Sequence, residues 1–281
     1  MAAQFWKYIP KTPSEKGAFA FIIIMGFSSL YYMLFVVHPT IFQEATPWYC
    51  IHLAFIAFEA MNVLGNFWYI LSTDTTEGNV VLPSTLKAGW RYCTACEANF
   101  PPRSHHCHTC NRCILQRDHH CFFTGNCIGF ANHRYYLCFT LHVAISGFYA
   151  VIMNADYTWA VLGGLSWTSL VSMALPIVSW ILGLSETYTF AVAFLSAGCI
   201  IAFLLASALT GYHCLLIFNG QTTYERTHNV KQYNLGWMEN VHRAVGENWI
   251  AACLFPFAPL KVKGDGFKFP QKGEFEDIKD M

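Results

Sequence analysis

Four apolar runs set what this chain can become: about Ala18–His38, Trp48–Leu71, Tyr135–Ala155 and Thr189–Phe218. Each is long enough to cross a bilayer core as a helix, which takes about 20 residues. Water is absent there, so the backbone must satisfy its own polar groups, and a helix does so within one segment. A fifth run, about Leu162–Leu184, contains Gly163, Gly164, Pro176 and Gly183 and does not read as one continuous helix. Composition agrees with a membrane protein. Only 12% of the 281 residues are charged, about half the roughly 25% usual in soluble domains. The first run is too long for a signal-peptide core and lacks a small-residue cleavage site after it, so it reads as a span. A formal net charge of zero argues against a nucleic-acid binder.

Basic residues orient the spans. Residues 1–17 carry three Lys, residues 72–134 six Lys or Arg and residues 219–281 eight, which accounts for all seventeen. Residues 39–47 and 156–188 carry none. The positive-inside bias places the three basic stretches in the cytosol. The chain leaves the cytosol at Tyr135 and returns by Asn219, so it crosses an even number of times between them. Leu162–Leu184 is then a non-spanning luminal segment, broken near Pro176; the alternative is five spans with the charge bias violated. Glu59 and Asn62 lie inside the second span, where an ionisable residue can mark a functional site; the preferred reading is a protonated Glu59 hydrogen-bonded to a neighbouring helix. The reading gives an all-α polytopic membrane protein. A cytosolic N-terminus (1–17) precedes two spans (18–71), a cytosolic Cys/His-rich domain (72–134), two further spans (135–218) and a cytosolic C-terminal region (219–281). No internal repeat is evident. Met238, Val241, Val245 and Trp249 have the spacing of one amphipathic helix, and the polar tail from Lys261 reads as flexible.

The Cys/His-rich segment runs "RYCTACEANFPPRSHHCHTCNRCILQRDHHCFFTGNC" and holds seven of the twelve cysteines. Cys93 and Cys96 form one C-x2-C; Cys107, Cys110 and Cys113 form two overlapping ones. Such pairs present two thiolates to one tetrahedral zinc. Two closed sites take eight ligands, and six cysteines with two histidines would leave one thiol over. Spacing does not identify it. Local chemistry favours Cys121, because Asp118 and His119 beside it have the composition of a base with its orienter.

The stretches "RYCTAC", "RSHHCHTC", "RDHHC" and "NCIGFANHRYY" resemble the cysteine-rich domain of the DHHC protein S-acyltransferases, without gaps from about Arg91 to Tyr136. "TTYE" at Thr222–Glu225 resembles the family's TTxE motif, and "NLGWMENVHRAVG" its C-terminal motif, with Asn240 at the characteristic asparagine. The resemblance implies one structural zinc held by Cys93, Cys96, His106 and Cys113, and a second held by Cys107, Cys110, His120 and Cys127. It implies His119 as base, Asp118 as its orienter and Cys121 as nucleophile, with Thr222 or Thr223 steadying Asp118. His105 and His108 are left as solvated loop residues. Four spans with the two-zinc domain between the second and third are also the family architecture.

The implied reaction moves a long-chain acyl group, typically palmitoyl, from acyl-CoA through an acyl-Cys121 thioester to cysteines of membrane-proximal proteins. The implied setting is an endomembrane, Golgi or ER, with the active site cytosolic. The sequence departs from the family after the nucleophile: Phe122, Phe123, Thr124 and Gly125 replace the usual Pro-Trp-Val-Asn. Phe123 keeps an aromatic where the family's tryptophan borders the acyl chain, while Gly125 should loosen the turn. The alternative is a zinc-bearing membrane scaffold or ligase-like adaptor, with metal but no reactive cysteine.

Overall fold

The computed structural model describes residues 10–42, 46–78 and 80–273. The outer part of the expected N-terminal segment, residues 43–45 of the loop between the first two apolar runs, Asn79 and the end of the C-terminal tail lie outside the described residues. Among the described residues, four helices are long and apolar enough to cross a membrane: α1 (Pro13–Ile41), α2 (Pro47–Ser72), α3 (His133–Val161) and α6 (Thr187–Phe218). The chain is thus a multi-pass membrane protein of helical class. The fifth apolar run forms α4 (Trp167–Ala174) and α5 (Pro176–Ile181), neither long enough to span. Leu175 separates them, as expected of a residue held out of the helical region by a following proline.

The chain divides into two compact units. One comprises residues 20–61 and 140–209. Its apolar core gathers Tyr32, Met33 and Val37 of α1, Ala150 of α3, and Val192 and Cys199 of α6. Tyr32 lies in a π-helical turn, Tyr32–Val37, that interrupts α1. Its hydroxyl pairs with Thr158 Oγ1 (3.4 Å) and Ser196 Oγ (3.5 Å). Glu59 Oε2 accepts from His142 Nδ1 (3.0 Å) and Ser146 Oγ (3.3 Å), both on α3. A polar group at membrane depth without such partners would cost several kcal/mol by order of magnitude (~2–7).

The other unit comprises residues 10–19, 62–139 and 210–273. Between α2 and α3 in the sequence lie six short strands paired as three antiparallel hairpins: β1 (Arg91–Cys93) with β2 (Ala98–Phe100), β3 (His105–Cys107) with β4 (Arg112–Ile114), and β5 (His119–Cys121) with β6 (Asn126–Ile128). Their registers are the same: Cys93↔Ala98, Cys107↔Arg112 and Cys121↔Asn126. The hairpins are therefore a repeat of fourteen residues, counted from Cys93 to Cys107 to Cys121. This corrects the reading that no repeat exists. Only the cysteines, the His106/His120 pair and a few strand residues recur, too few to stand out by eye. The last hairpin is tied to the end of α2. Asn126 Nδ2 donates to the carbonyls of Ile70 (3.3 Å) and Leu71 (3.4 Å), and Asn132 Nδ2 donates to those of Ile70 (3.4 Å) and Cys127 (3.0 Å). Carbonyls of a last helical turn lack intrahelical partners, and these two asparagines supply them.

After α6 come α7 (Thr223–Thr227), α8 (Trp237–Ala244) and α9 (Trp249–Leu254). The expected single amphipathic helix is two, because Gly246 takes φ +114° and breaks it. The tail does not trail freely as far as Gly273. Phe267 stacks on Trp90, Arg103 lies over the Phe269 ring, and Lys272 N–H donates to Gln232 O (2.9 Å). Aromatic residues among the glycines and lysines supply the anchoring that composition concealed.

Gly147 of α3 lies where a Cβ would sit 3.0 Å from the Phe203 backbone of α6. Gly147→Leu forces these helices apart. It should lower stability by about 1–3 kcal/mol, the usual cost of overpacking, read as a lower Tm in detergent. An unchanged Tm would contradict this packing.

Candidate functional site

The two C-x2-C turns belong to the first two hairpins, and each approaches the strand pair of the following one. Cys93 and Cys96 meet His106 and Cys113, while Cys107 and Cys110 meet His120 and Cys127. In both groups the histidine and the last cysteine are cross-strand partners, His106↔Cys113 and His120↔Cys127. Cys96 Sγ lies 3.3 Å from His106 Nδ1 and 3.8 Å from Cys113 Sγ. His120 Nδ1 lies 3.6, 3.4 and 3.5 Å from the sulfurs of Cys107, Cys110 and Cys127. A tetrahedral zinc with Zn–S of about 2.3 Å and Zn–N of about 2.0–2.1 Å requires edges of about 3.6–3.8 Å. Both groups fit that ion by donor type, number and spacing.

The third hairpin repeats the turn without a partner site. Where the first two have Cys96 and Cys110, it has Thr124, whose Oγ1 donates to Cys121 O (3.4 Å). The following residue has positive φ in all three turns: Glu97 (52°), Asn111 (52°) and Gly125 (60°). Gly125 therefore suits its turn and does not loosen it, contrary to expectation. Cys121 stays outside both ligand groups.

Strand geometry then divides β5. Successive side chains point to opposite faces, so His119 and Cys121 share one face and His120 takes the other. His120 joins the second ligand group. His119 interacts with the nearby Cys121 thiol, and its Nδ1 donates to Asp118 Oδ2 at 2.7 Å. Burial would push the Asp118 carboxyl up, but the hydrogen bond and charge of His119 outweigh it and hold it well below the usual carboxylate range. Burial would lower His119; its hydrogen bond to Asp118 and the neighbouring Cys121 thiol instead raise it to about 9. Burial would raise the Cys121 thiol, yet His119 and Thr124 bring it below its ordinary value. His119 and Thr124 thus favour the deprotonated form of Cys121 relative to an isolated buried thiol. Cys121 is only 8% exposed and packs against Ile70 of α2 and Tyr136 of α3. The thiol therefore sits beside the ends of two membrane-crossing helices.

The "TTYE" residues divide their work. Thr222 caps α7, its side chain accepting from Glu225 N–H (3.3 Å). Thr223 grips Asp118 twice: its N–H donates to Oδ1 and its Oγ1 to Oδ2, both at 2.8 Å. Asn240 staples the end of α6 to the turn before α8. Its Nδ2 donates to Phe218 O and Asn234 Oδ1 (both 2.9 Å), and its Oδ1 accepts from Leu235 N–H (3.1 Å). Phe123 is 41% exposed and meets Phe122 edge-on. His105 is not simply solvated; it packs on Tyr224 with ring centroids 4.3 Å apart.

Four contributors had gone unnoticed in the sequence. Glu225 forms a two-point ion pair with Arg103, both contacts at 2.7 Å, so α7 is locked to the loop before β3. His213 of α6, its Nδ1 3.1 Å from His133 Nε2, lies 5.5 Å from the His119 ring. A histidine inside an apolar span was the available signal. Glu15 is the fourth, at 2.7 Å from His120 Nε2.

A free thiol, an imidazole and a carboxylate beside two Cys/His metal groups, set at the ends of membrane-crossing helices, define a membrane enzyme of cysteine chemistry. Residues 87–230 match the family model described as DHHC palmitoyltransferase. The chain is 37% identical over 243 residues to "Probable palmitoyltransferase ZDHHC24" of Danio rerio, covering 84% of this chain and 82% of that one. To the Homo sapiens protein of the same name it is 36% identical over 223 residues, 78% of each. To "Palmitoyltransferase PFA4" of Mycosarcoma maydis it is 39% identical over 195 residues, 64% of this chain and 38% of the other. The chain belongs to the DHHC palmitoyltransferase family.

Thr223→Val removes one of the hydrogen bonds on Asp118, and a bond to a charged group is worth about 1.5–3 kcal/mol. Alkylation of Cys121 by iodoacetamide at neutral pH should slow several-fold. Thr222→Val, which weakens only the α7 cap, should slow it less. Equal rates in the wild type and Thr223→Val would contradict this role for Thr223.

Proposed function

We infer that this S-acyltransferase works by double displacement through Cys121. The thiolate attacks the carbonyl carbon of a long-chain acyl-CoA, palmitoyl-CoA above all. A new C–S bond forms, the bond to CoA sulfur breaks, and the CoA sulfur leaves as a thiol with the proton that His119 had taken from Cys121. A cysteine thiol of a second protein then attacks acyl-Cys121 and carries the acyl group away. One thioester is exchanged for another in each step, so the intermediate is neither a trap nor a peak. His119 accepts the proton of the attacking thiol, and Asp118, held by Thr223, fixes which ring nitrogen does so. The single observation that carries this reading is the set of hydrogen bonds Thr223–Asp118–His119, with His119 on the same face of β5 as Cys121.

Zinc at Cys93, Cys96, His106 and Cys113, and at Cys107, Cys110, His120 and Cys127, would be structural. Each set supplies four protein ligands, and zinc bound so contributes folding free energy directly. The charge bias supports a cytosolic face for the N-terminus, the zinc-binding domain between the second and third spans, and the C-terminal region. The family resemblance suggests Golgi or ER membranes as the setting. The contacts of Cys121 with Ile70 and Tyr136 support acyl entry among the helices with CoA left in water. Each buried methylene adds about 0.8 kcal/mol, so a palmitoyl chain binds through its tail. Phe123 would border its first carbons.

Purified protein incubated with labelled palmitoyl-CoA should acquire a hydroxylamine-sensitive label that Cys121→Ser abolishes. His119→Ala should slow labelling by roughly 10²–10⁴-fold. Wild-type protein that retains its metal and takes no label would instead mark a zinc-bearing scaffold.

A further inference from the structure

Glu15 opens α1, far in sequence from the reactive groups, yet its side chain is only 4% exposed. One carboxylate oxygen, Oε2, accepts from Thr12 N–H (3.2 Å), and Glu15 N–H donates to Thr12 Oγ1 (3.3 Å). These reciprocal bonds are a capping box at the helix start. The other oxygen, Oε1, accepts from His120 Nε2 at 2.7 Å. The opposite nitrogen of that imidazole faces the sulfurs of Cys107, Cys110 and Cys127. His120 is thus clamped between a carboxylate and three thiols.

Two neighbours bring the same segment onto the same hairpins. Lys11 Nζ donates to the carbonyl of Cys110 (3.2 Å), itself a member of that thiol group. Pro10 is fully buried, and a Cβ on Gly125 would lie 2.4 Å from Pro10 Cβ. The departure from the family after Cys121 thus has a local counterpart: Gly125 leaves the space that Pro10 occupies.

We propose that Glu15 is the outer partner of the second zinc, acting through His120, and that residues 10–15 form a positioning strap from the first span to the Cys121 hairpin. The proposal rests on the zinc-ligand reading above. A carboxylate on Nε2–H fixes the tautomer that offers Nδ1 to the metal and strengthens that nitrogen as a ligand. His120 stands between His119 and Cys121 on β5, so its orientation is shared with both. Glu15 touches no reacting atom and is a positioning residue.

The test is zinc content and zinc release to a chromogenic chelator, on full-length protein in detergent. Wild type should hold two zinc ions. In Glu15→Ala one of the two should be bound about 10–100-fold more weakly, as outer-partner losses usually are, with the other unchanged. Glu15→Gln keeps the shape and an acceptor oxygen while losing the charge, and should fall between. Thr12→Ala loses the other half of the capping box, the bond from Glu15 N–H, without touching His120 and should release zinc as the wild type does. Both ions held normally in Glu15→Ala, or Thr12→Ala matching it, would overturn the proposal alone. Fewer than two ions in the wild type would overturn the ligand reading beneath it as well.

Discussion

The Asp118 carboxylate is the point on which the site converges. It is 4% exposed, and a charge so placed is tolerated only when its oxygens are bonded. His119 supplies one bond and Thr223 two, from residues on opposite sides of the last membrane-crossing helix in the sequence. The carboxylate therefore does two jobs with one set of contacts. It orients the imidazole that faces Cys121, and it pins α7 to the third hairpin. Glu225 and Arg103 repeat the logic one turn away, with a buried pair that is bonded at both oxygens. Breaking such a pair by removing one partner typically costs about 3–5 kcal/mol.

The three hairpins explain how a chain with so many thiols keeps one apart. Each of the first two turns brings its cysteines to the histidine and last cysteine of the next hairpin. In the first two, a second cysteine completes the turn's pair; in the third, Thr124 stands in that place. Strand alternation then sends His120 one way and His119 with Cys121 the other. Cys121 thus sits on a turn of the same form as the two that could hold metal, with one ligand position filled by Thr124. Asn126 and Asn132, by bonding to the last carbonyls of α2, set that turn beside the membrane-crossing helices.

Much of this was legible because it is local. The four spans follow from apolar run length, and the break before Pro176 from proline stereochemistry. The C-x2-C pairs announce a metal because two thiolates on one turn have few other uses. The identity of the spare thiol was not written in the spacing and came from resemblance to the family. What stayed hidden is long-range. Glu15 meets His120 across 105 residues and Arg103 meets Glu225 across 122. Neither pairing leaves a periodicity or a motif. The tail was misjudged for a related reason: its glycines and lysines outnumber its aromatics, yet Phe267 and Phe269 decide where it lies.

Of the seven cysteines between Cys93 and Cys127, the proposed function commits six to metal and leaves Cys121 alone free to react. Peptide mapping by mass spectrometry after brief iodoacetamide treatment of the native, metal-loaded protein tests it directly. The account predicts modification at Cys121 and none at the other six until metal is removed and the chain unfolded. Rapid modification of Cys93, Cys96, Cys107, Cys110, Cys113 or Cys127 in the native protein, or protection of Cys121, would contradict it.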